Sequence, residues 1–171
     1  MKRLLIWLLL IMLTAGCDVA KDTEQSYQRS ETVMDTVATL SASGTDAEAA
    51  VDESMARLKA LEAMTSVNIA DSDVSKLTQS AGSGEWIKLN PEVYHLLEVS
   101  AYYSRLTNGI WDVTTGPLIK LWGIGTENSS VPTAAEIKQA KVFVDWQNLE
   151  LDESTQSARL MKKGMSIDLG G

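Results

Sequence analysis

Apolar residues recur along this chain with two periods, and the change of period marks its elements. Leu4 to Leu13 is an unbroken run of ten apolar residues behind Lys2 and Arg3, half of the ~20 that a membrane-crossing helix needs. Glu31 to Ser43 is rich in valine and threonine, and Val33, Thr36, Val37, Thr39 and Leu40 favour a single strand that Gly44 ends. Val51, Met55, Leu58, Leu61 and Met64 follow at spacings of 4, 3, 3 and 3, on one face of a helix over 46–64. Thr45 stands where it would cap that helix. The methionines on this face suit a packed core, with a cofactor contact as the other reading.

Thr65 to Ala70 reads as a loop, and Asp71-Ser72-Asp73 as the cap of a short helix carrying Val74 and Leu77. Ala81 to Gly84 is a turn and Trp86 to Leu89 a short strand. Asn90-Pro91 pairs a cap residue with proline at the first helical position. Val93, Leu96, Leu97, Ser100 and Ala101 give the next helix its packed stripe, and Asn108-Gly109 ends it. Thr133 and Glu136 form a capping box over a further short helix. Val142 to Val144, Trp146 to Leu151, Ala158 to Met161 and Met165 to Leu169 read as strands. Runs of both element types, without regular βαβ alternation, predict an α+β fold.

The polar stretches change this picture at the N-terminus. Thr14, Ala15 and Gly16 are small and lie directly before Cys17, the only cysteine. A basic start, a short apolar run and small residues make a secretory leader, and a cysteine at this point resembles a lipobox. An ordinary leader with an incidental cysteine is the plainer reading. Residues 1–16 are therefore expected to be a lipoprotein signal peptide. Residues 17–30, polar and without apolar periodicity, are expected to be an acylated Cys17 and a flexible tether. Acyl chains would hold the protein at the cell membrane, facing outside the cytoplasm.

Composition removes whole classes of function. One cysteine among 171 residues excludes an internal disulfide framework and a cysteine-rich metal site. One histidine excludes a two-histidine metal motif. A formal charge of -8 and a pI near 4.6 argue against nucleic acid as a partner. His95, inside a predicted helix and far from any motif, is expected to be partly buried and structural, with a functional role as the alternative.

Candidate chemistry concentrates late in the chain. Seven of eleven glycines follow residue 100, and Gly109, Gly116, Gly123 and Gly125 punctuate one segment, GIWDVTTGPLIKLWGIG. Glycine permits positive φ and close approach to a ligand. Trp111 and Trp122 add flat apolar faces, and Asp112, Thr114 and Thr115 add polar atoms. Such a segment suits a flat ligand with polar edges and phosphates. The same composition also suits a loop that packs its tryptophans into the core.

The order of residues in this segment resembles the G-x-[FWM]-D-x-T-x-G-P-L-x-x-L-W-G-[FI]-G signature of the ApbE-type FAD:protein FMN transferases. Three further stretches are similar in order and spacing. Val33-Met34-Asp35-Thr36 resembles an early Met-Gly-Thr strand, with Asp35 where glycine is frequent. Met64 to Leu77 resembles a loop and short helix of the D-S-x-[IV]-S-x-[LF]-N type, with Thr78 in place of the asparagine. Ser166-Ile-Asp168-Leu-Gly-Gly171 resembles the opening of a D-L-G-G-I-A-K-G-Y motif. The likeness covers residues 31–171 and breaks off inside that last motif. It implies about the N-terminal half of an ApbE-like α+β flavin transferase domain.

The resemblance implies a function and a site. The activity would be Mg²⁺-dependent transfer of FMN from FAD to a threonine or serine hydroxyl of an acceptor protein, with release of AMP. The acceptor would be a subunit of a membrane redox complex. Met34 would contact the flavin nucleotide. Asn68 falls where the family often has a tyrosine near the isoalloxazine ring, so an amide that can hydrogen-bond replaces an aromatic face. Ile110, Trp111 and Asp112 would line the FAD site, and Asp168 would also touch FAD. Gly171 falls at a metal position, where only its backbone carbonyl can serve. The bland readings are a core role for Met34, a turn cap for Asp112 and a structural role for Asp168. The remaining aspartate and threonine metal ligands of the family have no counterpart in residues 31–171, so this piece is expected to be inactive alone. A non-catalytic flavin- or nucleotide-binding lipoprotein and an FAD pyrophosphatase are the alternatives.

Overall fold

The computed structural model describes residues 25–169. Residues 1–16, expected to be a leader, Cys17 and Gly171 lie outside that range. The chain opens with an antiparallel hairpin of β1 (Ser26–Val33) and β2 (Thr36–Ser43), paired from Ser26 with Ser43 to Val33 with Thr36. The hairpin replaces the predicted single strand, and it begins inside the stretch read as a tether. The reason is the chemistry of its inward face. Side chains alternate along β1, so Tyr27, Arg29, Glu31 and Val33 share one side. Two of these are charged, which hides the alternation expected of a half-buried strand. Arg29 donates to Asp52 at 2.7 Å, and Glu31 pairs with both Arg29 and Lys59.

Asp52 and Lys59 belong to α1 (Ala47–Thr65), which lies against both hairpin strands. Val51 and Met55 are its buried face. Leu58, Leu61 and Met64 are only partly buried, so the stripe read from the periodicity reaches the interior at its first half. Asp46, not Thr45, stands at the N-cap position, without a side-chain cap bond.

Helix α2 (Asp73–Gln79) starts at Ser72, whose hydroxyl accepts from the Ser75 amide at 3.0 Å. Helix α3 (Pro91–Leu106) starts at Asn90, whose side chain accepts from the Glu92 amide at 3.0 Å. Asn108 and Gly109, at φ 52° and 82°, follow its end as expected. Leu96 is an exception to the predicted stripe. It is exposed, as are Val99, Tyr102 and Leu106, while Val93, Leu97, Ser100 and Ala101 are buried. His95 is also exposed, with Glu98 at 3.4 Å from its ring, which corrects the expectation of a partly buried structural residue.

Helix α4 (Gly116–Trp122) and α5 (Ala134–Ala140) follow. The capping box of α5 is complete: Glu136 accepts from the Thr133 amide at 2.8 Å and hydroxyl at 2.7 Å. Lys141–Phe143 and Trp146–Asn148 are single 3₁₀ turns rather than strands. Short apolar runs carry no period, so strand and turn look alike in sequence. Strands β4 (Leu149–Asp152) and β5 (Ser157–Leu160) form an antiparallel hairpin, and β3 (Ile87–Lys88) pairs antiparallel with β5, giving the order β3-β5-β4.

The core lies between this sheet and helices α2 and α3. Val74, Leu77, Val93, Leu97, Leu160 and Ile167 are its most enclosed members, each worth roughly 1.5–3 kcal/mol of apolar burial. Met165–Leu169 joins neither sheet. It packs Met165 and Ile167 into the core, and the Ile167 amide donates to the Thr78 hydroxyl at 3.3 Å. The observed architecture is α+β.

Candidate functional site

The glycine-rich segment begins where α3 ends. The Gly109 amide donates to Ser104 at 2.9 Å, and the Trp111 amide donates to the Thr107 hydroxyl at 3.0 Å. These bonds turn the chain sharply at Asn108-Gly109. Gly109 has φ 82°, which favours glycine, and a Cβ there would stand 3.2 Å from the Trp146 indole nitrogen, a tight contact. The turn leaves Ile110 91% and Trp111 54% exposed. Trp122 is likewise exposed. The reading in which this loop packs its tryptophans into the core is thereby corrected: Trp111 and Trp122 offer their faces outward.

Asp112 follows and is tied into the chain. One carboxylate oxygen accepts from the Thr114 amide and hydroxyl, both at 2.7 Å, and the other from the Trp146 amide at 3.1 Å. The Thr114 hydroxyl is fully buried and accepts in turn from the Asp145 amide at 2.9 Å. A carboxylate offers about four acceptor positions, and three donors of its own chain already occupy this one. Asp112 therefore does more than cap the turn before Gly116. It fastens the exposed rim at 110–111 to a segment 34 residues away.

Two contacts place the end of the core beside this node. The Asp168 amide donates to the Val113 carbonyl at 3.0 Å. At Gly116 a Cβ would stand 2.3 Å from the Ser166 hydroxyl oxygen and 2.9 Å from its carbonyl oxygen. The Asp168 backbone is thus brought to Val113, the residue that follows Asp112.

Met34 and Asn68 form a second group. Met34 and Asp35 make the two-residue turn between β1 and β2, at φ 53° and 55°. The left-handed region suits aspartate better than methionine, for which it costs roughly 1–2 kcal/mol. The Met34 amide donates to Glu62 of α1 at 2.8 Å, which holds the turn in place. The Asn68 side-chain amide donates to the Asp35 carboxylate at 3.0 Å, and the Asn68 backbone amide donates to the Ser66 hydroxyl at 3.1 Å. Met34 is partly exposed rather than a core residue. Glu62 and Asp145 have no mark in the sequence: each acts through a partner at least 28 residues away, so no local pattern points to it.

Among the described residues, no group of three or more His, Cys, Asp or Glu is placed to hold a metal ion. Gly171, the metal position implied by the resemblance, lies outside them. No helix of the described residues is long and apolar enough to cross a membrane.

Comparisons with known proteins bear on the whole arrangement. The ApbE family pattern matches residues 34–171. An FAD:protein FMN transferase of Klebsiella pneumoniae is 34% identical over 113 residues, which cover 66% of this chain and 35% of that protein. One of Treponema pallidum is 26% identical over 155 residues, covering 85% and 42%. The crystal structure of the ApbE protein of Thermotoga maritima superposes with a TM-score of 0.76 at 26% identity, covering 85% of this chain and 48% of that one. The flavin transferase ApbE of Vibrio cholerae has the same fold, with a TM-score of 0.75 at 22% identity. The chain spans about a third to a half of the length of these relatives.

Proposed function

This chain belongs to the ApbE family, and on that premise we propose that it carries the FAD-binding share of an FAD:protein FMN transferase. In the proposed reaction a threonine or serine hydroxyl of an acceptor protein attacks the FMN phosphorus of FAD. The pyrophosphate bond breaks, AMP leaves and the hydroxyl loses its proton. The carrying observation is the family match over 34–171. The exposed pair Ile110-Trp111, held by the Asp112 node, supports it as an apolar rim for a flat ring.

In this reading Met34, Asn68, Ile110, Trp111, Asp112 and Asp168 line the flavin nucleotide, with Asp112 acting chiefly through the backbone that it holds. Mg²⁺ belongs to the same reading, with the Gly171 carbonyl as one ligand. The chain spans about a third to a half of its relatives, and it is proposed to bind FAD without transferring FMN alone. The second reading is a flavin-binding lipoprotein without catalysis. Acylation of Cys17 would place either protein at the cell membrane, outside the cytoplasm, with a membrane redox subunit as the acceptor. Mass spectrometry of membrane-extracted protein, expected to show diacylglycerol on Cys17, tests the anchor.

Incubation of the chain with FAD, Mg²⁺ and an acceptor domain tests the activity. FAD bound but chemically unchanged is the expected result. Covalent, fluorescent flavin on the acceptor would show that the chain suffices for transfer. Free FMN and AMP would make it a pyrophosphatase, and no flavin binding would remove the reading altogether.

A further inference from the structure

Asp35 and Asn68, on two different loops, touch through their side chains. The Asn68 amide nitrogen lies 3.0 Å from an Asp35 carboxylate oxygen. The contact joins two loops 33 residues apart. Neither partner is free to drift. Asp35 sits at φ 55° in a two-residue turn that Glu62 holds through the Met34 amide. The Asn68 backbone is held by Ser66.

The chemistry of the pair is directional. An ionised carboxylate only accepts hydrogen bonds, whereas a carboxamide has a donating end and an accepting end. Turning the amide over would set oxygen against oxygen. Asp35 therefore fixes the Asn68 side chain with its nitrogen toward the hairpin and its oxygen turned away as an acceptor.

We propose that Asp35 is a specificity-determining residue of the flavin site: by orienting Asn68 it presents the Asn68 amide oxygen to the N3–H of the isoalloxazine ring. The inference rests on the flavin reading above. It replaces stacking at position 68 with recognition of the ring's polar edge. Oxidised flavin has one ring N–H, at N3, flanked by two carbonyl groups. An acceptor fixed in orientation selects for it.

The test is titration of the chain with FMN and with N3-methyl FMN, read by flavin fluorescence. The wild-type chain is expected to bind FMN about tenfold tighter, the scale of one hydrogen bond lost with its partner left unpaired. Asp35→Asn keeps a residue that suits positive φ but tolerates either orientation of Asn68, and Asp35→Gly relaxes the turn and removes the acceptor. Both are expected to reduce the preference to about threefold or less. Equal affinities in the wild type, or a tenfold preference that persists in both variants, overturn the role of Asp35 and leave flavin binding standing. Failure of the wild-type chain to bind FMN overturns the role of Asp35, and failure to bind FAD as well overturns the flavin reading with it.

Discussion

The two loop systems that carry the candidate site are built in opposite ways. Around Asp112 the polar atoms face inward: the carboxylate takes three donors of its own chain, and Thr114 is buried against Asp145. Around Asp35 and Asn68 the polar atoms lie at the surface, joined by one exposed side-chain bond. The first system is a fastening whose most exposed faces, Ile110 and Trp111, are apolar. The second keeps hydrogen-bonding capacity at its surface. Shape is held in one place and polar recognition is offered in the other.

Substitution separates them. Asp112→Ala leaves the Trp146 amide and the buried Thr114 hydroxyl without their acceptor, and is expected to lower unfolding free energy by about 3 kcal/mol in a urea titration. A loss below about 1 kcal/mol would put Asp112 in the same class as the exposed pair, and the contrast would collapse. Gly116→Ala drives a methyl group against the Ser166 backbone and is expected to cost about 2 kcal/mol in the same assay, with little direct effect on the 34–68 loops. Asn68→Ala removes one exposed bond, so its expected cost is within about 0.5 kcal/mol. Its effect should instead appear in flavin affinity. A thermal shift for Asn68→Ala as large as that for Gly116→Ala would show that the second system is also a fastening.

The smallest expected effect is the dependence on pH. Lys59, and then Arg29, hold the Glu31 carboxyl below its ordinary range, despite an opposing cost of burial. The Thr133 hydroxyl and amide do the same for Glu136, and the Ser154 and Thr155 hydroxyls for Asp152. A carboxyl depressed in the folded state contributes stability above its unfolded pKa and loses it as pH falls through the folded value. The melting temperature is therefore expected to be flat from pH 8 to about 6 and to fall below about pH 4, where unfolded carboxyls begin to bind protons. Glu31→Gln should flatten that fall. None of the three lies at the candidate site, so flavin affinity should not follow their titration.

Legibility in the sequence followed the range of the interaction. Helices α1 and α3 lie within two residues of their predicted spans, because a 3.6-residue period and a capping side chain act within a turn or two. The Thr133–Glu136 box was readable for the same reason. Strand β1 was not, because Arg29 and Glu31 occupy its inward positions and only their partners on α1 make them acceptable there. The 3₁₀ turns at 141–143 and 146–148 resemble strands in sequence because a few apolar residues carry no period. Leu96 and His95 could not be placed by periodicity, since both border the buried stripe of α3 and face outward.

The amino-acid order alone determined the family, the helical period, the caps, and the segment in which glycines and tryptophans would meet a ligand. These rest on local sterics and on motifs read in order. Only the tertiary structure decided which polar groups remain for a ligand. Whether Asp112 is taken up by Thr114 and Trp146, and which way Asn68 presents its amide to Asp35, depends on atoms brought together from 33 and 34 residues away. Hydrogen-bond capacity is finite and directional, so a side chain's function is set by what its neighbours have already used.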